Sequence, residues 1–190
     1  FDQPVISIAG DSTFFHAVIP ALVNATYNRS NFTLVVVDNS ATAMTGFQPH
    51  AGVGMTAMGD GVPKVDIEKI CRSLDIPVEV LDPFDLDDSQ DVLLDFVQRT
   101  EGVRVAVMRR ECFLTRPRDA DPDYKITIDH DKCLGDSCGC NRYCTKTFKC
   151  PGLYADPKTG QGHVDEAVCV GCGLCTQICP EGAITKEAFA

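Results

Sequence analysis

The sequence has no apolar run long enough to cross a bilayer. Its longest, around Phe32 to Val37, falls far short of the roughly 20 residues that a spanning helix requires. No segment with a basic start, an apolar middle and a small-residue cleavage site opens it, so a cytoplasmic location is expected rather than a secreted one. Positive charge is scarce as well. Lys plus Arg number 17 against 27 Asp plus Glu, a formal charge of −10 at pH 7. A nucleic-acid surface needs a basic face to neutralise phosphates, so neither nucleic acid nor a membrane is an expected partner. What remains is globular. Hydrophobic residues make up 44% and charged residues 23% of 190, near the average for folded chains and enough for one ordinary domain or two small ones.

Cysteine is the residue in excess. Nine of the 11 lie between Cys133 and Cys179, with only Cys71 and Cys112 outside. A secreted disulfide scaffold spreads its cysteines through a short chain. Crowding at one end of a chain expected in the cytoplasm points to metal ligation instead. Cys71 shares a helical stretch with Ile67, Ile70 and Leu74 and reads as core. Cys112 follows a strand and reads as a buried structural thiol, with a site role as the alternative.

Residues 1–114 alternate between strand and helix. Val5 to Ile8, Phe32 to Val37, Pro77 to Leu81 and Val103 to Met108 read as strands. The second and fourth are nearly continuous in apolar residues, as buried parallel strands are. Helices are predicted after Ser12 (Phe15, Val18, Leu22 and Ala25, interrupted by Pro20), over Asp66 to Leu74, and over Ser89 to Arg99. Such alternation implies right-handed crossovers and an α/β fold with a doubly wound parallel sheet. Residues 115–125 are charged and carry Pro117 and Pro122, which marks a linker. Residues 126–190 form a small α+β domain with an internal repeat. Ile128-Asp129-His130-Asp131-Lys132-Cys133 matches Val164-Asp165-Glu166-Ala167-Val168-Cys169, and each half later reaches a Cys-Pro. A pseudo-twofold domain with one site per half is expected. His130 and His163 read as surface residues.

The second half carries the strongest motif. Cys169, Cys172, Cys175 and Cys179-Pro180 follow the spacing C-x2-C-x2-C-x3-C-P, the bacterial ferredoxin run for [4Fe–4S]. Three thiolates two residues apart can wrap one cubane, with Gly171 and Gly173 allowing tight turns. The fourth ligates the other cluster in two-cluster ferredoxins. Cys150 should therefore join Cys169, Cys172 and Cys175, while Cys179 joins three of Cys133, Cys138, Cys140 and Cys144. The repeat favours Cys133 as first ligand, whereas counting back from Cys150 favours Cys138, Cys140 and Cys144. One of the four is surplus, and loss of this cluster altogether is the alternative.

Gly10-Asp11-Ser12 follows the first strand and opens a helix, where free N–H groups favour an anion. A carboxylate there suits a phosphate only if a divalent cation bridges them. Asp38-Asn39-Ser40 ends the second strand, and the two strand ends can lie together at the carboxyl edge, where ligands bind. Asp11, the Asn39 amide oxygen and the Ala41 carbonyl could then share one Mg²⁺. An ordinary Gly-Asp-Ser turn is the plain alternative.

Gly10-Asp11-Ser12-Thr13-Phe14-Phe15-His16 and Asp38-Asn39-Ser40-Ala41-Thr42-Ala43-Met44-Thr45-Gly46-Phe47-Gln48-Pro49-His50 resemble the thiamine diphosphate site of the indolepyruvate:ferredoxin oxidoreductase family, in its large (alpha) subunit. The order also agrees, since that subunit places a two-cluster ferredoxin domain after its thiamine diphosphate-binding domain. The resemblance implies that Gly10, Ser12, Thr13, Met44 and Thr45 lie along the diphosphate. It also implies that His16 and His50 face the reacting carbon as polar groups or proton carriers; capping or packing is the alternative for either. It implies oxidative decarboxylation of an aryl 2-oxoacid, acyl transfer to coenzyme A and electrons passed through two [4Fe–4S] clusters to ferredoxin. A smaller beta subunit and a pyrimidine-binding domain are implied partners. The chain begins nine residues before Gly10, so a C-terminal fragment or a split subunit is expected. Rival readings are a non-catalytic iron–sulfur electron-transfer subunit and a pyruvate-type oxidoreductase, against which Phe47-Gln48-Pro49-His50 speaks.

Overall fold

Apolar runs without polar alternation are stable only where both faces of a strand are covered. The computed structural model describes residues 3–117, 121–137 and 149–188, and the chain divides into two compact units, Phe1–Pro117 and Arg118–Ala190. In the first unit β1 (Ile6–Gly10), β2 (Phe32–Asp38), β3 (Val78–Leu81) and β4 (Val103–Arg109) form a four-stranded sheet in the order β1-β2-β4-β3. Every pairing is parallel. The two most apolar stretches are the two central strands, as expected. β1 lies at the edge, with Ile8 71% exposed.

Side chains alternate across the sheet, and the two faces bury different sets. Leu34, Val36, Val103, Val105 and Val107 pack with Phe14, Leu22, Ile67 and Cys71 on one face. Val35, Ala106 and Met108 meet Val92, Leu93 and Phe96 on the other. Each fully buried large apolar side chain contributes roughly 1.5–3 kcal/mol, so the central strands anchor both layers. Burial also pushes the Cys71 thiol up to about 11, which keeps it protonated and inert.

The first helix departs from expectation in a useful way. α1 (Asp11–Thr13), a π turn (Phe14–Val18) and α2 (Ile19–Tyr27) follow without a gap. Pro20 does not interrupt the helix; it takes the first turn of α2, where its missing N–H costs little. The wider turn just before it, closed by the Ile19 N–H on the Phe14 carbonyl, accommodates the change of register. α3 (Ile67–Arg72) starts where Asp66 accepts the Glu68 N–H at 2.8 Å. α4 (Leu86–Gln98) starts before the predicted Ser89, because Asp85 caps the Asp88 N–H at 3.2 Å. Such a cap stabilises a helix by about 1 kcal/mol.

At the amino edge of the sheet Arg104 is buried. Its guanidinium donates to Asn31 Oδ1, the Glu101 and Gly102 carbonyls and Thr33 Oγ1. These bonds tie together the turns that enter β2 and β4.

The second unit is built from short pieces. β5 (Tyr124–Ile128) pairs antiparallel with β8 (Ile184–Ala188), and β6 (Leu153–Ala155) with β7 (Gly162–Val164). A single helical turn and a half, α5 (Leu174–Ile178), precedes β8. β5 begins inside the predicted linker, because Tyr124 N–H pairs with the Gly171 carbonyl at 3.0 Å. The internal repeat is a repeated turn. Asp129 carbonyl accepts the Cys133 N–H at 3.0 Å, and Asp165 carbonyl accepts the Cys169 N–H at 2.8 Å. Each aspartate side chain also accepts an N–H two residues on, from Asp131 and from Ala167, both at 3.0 Å. Apolar burial here is thin, with Ile126, Leu153 and Ile184 at its centre and cysteines around them. Among the described residues no helix is long and apolar enough to cross a membrane.

Candidate functional site

The register of the first two strands creates the site. Gly10 lies opposite Val37, so the residues after them, Asp11 and Asp38-Asn39, emerge side by side at the carboxyl edge. Asp11 is 3% exposed. Its Oδ1 accepts the Ser12 N–H at 2.8 Å, and its Oδ2 lies 3.1 Å from His50 Nε2. That pair is out of line for a hydrogen bond, and both atoms are buried without another partner among the described residues. Burial raises the Asp11 carboxyl above its usual range; Asp38 adds to this, while the Ser12 N–H and His50 oppose it. A dry carboxylate oxygen lacking a donor is the acceptor that a hard divalent cation takes, so Asp11 fits a metal.

Asn39 and Ala41 follow β2 at the same carboxyl edge. Asn39 Oδ1 accepts the Ala41 N–H at 3.1 Å, which folds the loop back on the end of β2. Asp38 is also buried. Its Oδ1 accepts the Ser40 N–H at 3.3 Å and its Oδ2 accepts Arg109 Nε at 2.8 Å. Asp38 and Arg109 were not among the candidates, because the pair is made by register between β2 and β4 and has no local signal. Gly10, Ser12 and Thr13 line the helix start. Met44 and Thr45 lie on a 3-10 turn, Met44 fully exposed and Thr45 Oγ1 donating to Gln48 Oε1 at 2.6 Å.

The two histidines have different surroundings. His16 sits exposed on the π turn, where its Nδ1 donates to the Ser12 carbonyl at 2.7 Å. A carbonyl only accepts, so Nε2 is the unprotonated nitrogen of the neutral ring. His50 is buried. Cys112 is half-buried rather than buried, because its segment runs along the loop after β2, with its N–H on the Asn39 carbonyl at 3.1 Å. His130 is exposed and His163 partly so, their rings 4.6 Å apart.

In the second unit Cys150, Cys169, Cys172 and Cys175 line one cavity of about 120 Å³ with Leu153 and Ile178. Desolvation raises the Cys169 thiol, and Cys150 and Cys172 add to this, against the Gly171 N–H. Thiolates so placed need a cationic centre, and an iron–sulfur cluster fits the donor set. Cys179 turns elsewhere. With Ala183 it packs around Cys133, its Sγ accepting the Ala183 N–H at 3.3 Å, while Cys133 Sγ accepts the Gly162 N–H at 3.5 Å. Cys138, Cys140 and Cys144 lie outside the described residues. Gly171 and Gly173 both have positive φ, +64° and +78°. A Cβ on Gly171 would overlap the Tyr124 carbonyl oxygen, whereas one on Gly173 would meet the Lys186 side chain at 2.9 Å.

Residues 1–107 match the family described as thiamine pyrophosphate enzyme, C-terminal TPP binding domain. Residues 163–185 match the 4Fe-4S binding domain. Indolepyruvate oxidoreductase subunit IorA of Pyrococcus horikoshii is 40% identical over 187 residues, 96% of this chain and 28% of the relative. The subunit of the same name from Methanothermobacter marburgensis is 39% identical over 186 residues, 97% of this chain and 28% of the relative. An uncharacterized ferredoxin of Methanocaldococcus jannaschii is 47% identical over 38 residues, 20% of this chain and 23% of that protein. The chain thus spans little more than a quarter of the IorA relatives.

In metal-free protein Asp11→Asn should raise the thermal midpoint at neutral pH. The folded carboxyl lies above its unfolded value, so ionisation opposes folding above that range and the opposition disappears once both states are protonated. The gain should shrink as the pH falls towards about 4; calorimetry across pH checks this, and a lower midpoint at neutral pH would refute it. Gly171→Ala should lose more stability and more bound iron than Gly173→Ala, although each also incurs about 1 kcal/mol for its left-handed backbone. Iron analysis and thermal melts of the two variants compare them; equal losses would contradict the Tyr124 overlap.

Proposed function

Because the chain belongs to the thiamine pyrophosphate enzyme family, whose C-terminal TPP binding domain it carries, we propose that it is the C-terminal part of an indolepyruvate-type 2-oxoacid:ferredoxin oxidoreductase. The observation that carries this reading is the buried Asp11 oxygen at the sheet edge that accepts no hydrogen bond among the described residues, in one chain with a cavity lined by four thiols. Asp11, Asn39 and the Ala41 carbonyl hold Mg²⁺, and Gly10, Ser12, Thr13, Met44 and Thr45 hold the diphosphate. Thiamine diphosphate held there would supply the carbon nucleophile for decarboxylating a 2-oxoacid. His16, with Nδ1 on the Ser12 carbonyl, presents an unprotonated Nε2 that can take and return a proton. Arg109 pairs with Asp38, which offsets the one like charge beside Asp11.

Cys150, Cys169, Cys172 and Cys175 hold one [4Fe–4S] cluster. Cys133 and Cys179 hold the second with two of Cys138, Cys140 and Cys144, so the surplus thiol is one of those three. Clusters held there would supply one-electron carriers that pass the two electrons of the oxidation to ferredoxin, with coenzyme A as the acyl acceptor. The relatives' name supports indolepyruvate or another aryl 2-oxoacid as substrate. A pyrimidine-binding domain and a smaller beta subunit complete a cytoplasmic enzyme.

Anaerobically purified complete enzyme should hold about eight irons for these two clusters; iron analysis giving four would leave one. The same preparation should reduce ferredoxin when given indolepyruvate and coenzyme A. Asp11→Ala should abolish thiamine diphosphate binding and turnover while the cluster EPR signals persist. Failure of the unmodified enzyme to bind thiamine diphosphate at all would make the protein an electron carrier instead.

A further inference from the structure

His50 occupies a place that neither a core residue nor a group facing substrate requires. Its side chain is 1% exposed and that of Asp11 is 4% exposed. The ring comes from the loop after β2, not from the elements that carry Asp11, so the contact closes the loop onto the helix start. Nδ1 accepts the Gly52 N–H at 3.2 Å. The neutral ring must then carry its proton on Nε2, and Nε2 is the atom 3.1 Å from Asp11 Oδ2. A ring rotation of modest size would satisfy both buried atoms, which are otherwise without partners among the described residues.

The packing restricts that rotation from behind. The Phe15 ring lies 5.7 Å from the imidazole, tilted by 30°. A Cβ at Gly52 would come within 2.8 Å of Phe15 Cε2 and 3.2 Å of His50 Cε1, so the absence of a side chain at Gly52 makes the pocket for both rings. Asp11 is thus flanked on two sides, by the Ser12 N–H bonded to Oδ1 and by the imidazole 3.1 Å from Oδ2. A carboxylate has about four lone-pair directions, so two contacts still leave room for a cation.

We propose that His50 is a positioning residue that aims the Asp11 carboxylate at the cofactor's divalent cation, with Gly52 keeping the imidazole in place. The proposal rests on the reading of Asp11 as a metal ligand. Partners that orient a ligand from behind typically change metal affinity 10- to 100-fold when removed. They act through a second atom, so the chemistry of the loaded site is not their first readout.

The test uses the complete enzyme with saturating thiamine diphosphate and Mn²⁺ in place of Mg²⁺, free Mn²⁺ being followed by EPR. His50→Ala should weaken Mn²⁺ binding about 10- to 100-fold while the iron–sulfur signals stay unchanged. His50→Gln, whose amide N–H can reach the same carboxylate, should recover most of that loss. Gly52→Ala keeps both nitrogens but displaces the ring, and should weaken Mn²⁺ binding as well. Unchanged Mn²⁺ affinity in His50→Ala, or a His50→Gln protein no better than it, would overturn the proposal. Should His50→Ala not fold, His50→Gln against Gly52→Ala decides: wild-type affinity in Gly52→Ala counts against it, and weakened affinity there with near-normal affinity in His50→Gln supports it. Asp11→Ala separates the two levels. If that variant still binds Mn²⁺, the metal reading itself falls; if it does not while His50→Ala binds normally, only the positioning role falls.

Discussion

A carboxylate can be kept out of water only beside groups that answer its charge, and much of the first unit follows from holding Asp11 nearly dry. The parallel register of β1 and β2 sets Asp11 next to Asp38, which makes the charge problem worse. Arg109 answers Asp38 from the end of β4 at 2.8 Å. The Ser12 N–H answers Asp11 from the helix start, and His50 approaches from the loop. Three strands, a helix and a loop therefore converge on two carboxylates. What they leave is one buried oxygen that faces the imidazole but accepts no hydrogen bond among the described residues, a donor atom that suits a hard cation.

The second unit solves a different problem with different means. Its apolar centre is three residues, Ile126, Leu153 and Ile184, with cysteines packed around them. A core so small rarely stabilises a domain alone. Backbone turns instead preset the cysteines: the repeated aspartate turn fixes the N–H of Cys133 and of Cys169 in the same way, and the Gly171 loop is clamped to β5 through Tyr124. A bound cluster would then supply stability that apolar burial does not. The two units thus differ in kind. One spends its fold on positioning a charge, the other on positioning thiols.

The legible parts of the sequence were those with local signatures. Nearly continuous apolar runs revealed the central strands, and Cys169 to Cys179 revealed the cluster run, because each depends on residues near one another in the chain. The aspartate-to-cysteine repeat was visible for the same reason. What escaped was set by distant partners. Arg109 meets Asp38 across two strands, and nothing near Arg109 announces it. The ring of His50 is directed by Gly52 locally but by Asp11 from far along the chain, so its burial could not be read from the loop. The π turn defeated the helical spacing as well: Phe14 rather than Phe15 is the fully buried ring, because the widened turn shifts the faces on either side of it. α4 was placed late because its cap, Asp85, precedes the apolar stripe on which the prediction rested.

The space that Phe15 and His50 share above Gly52 also has a meaning for descent. The glycine is not free to change on its own. A lineage that keeps either ring has a steric reason to keep the glycine, because Phe15 alone would still meet a Cβ there at 2.8 Å. Only loss of both rings would open position 52 to a side chain. Residues 15, 50 and 52 therefore constrain one another through a volume that none of them fills.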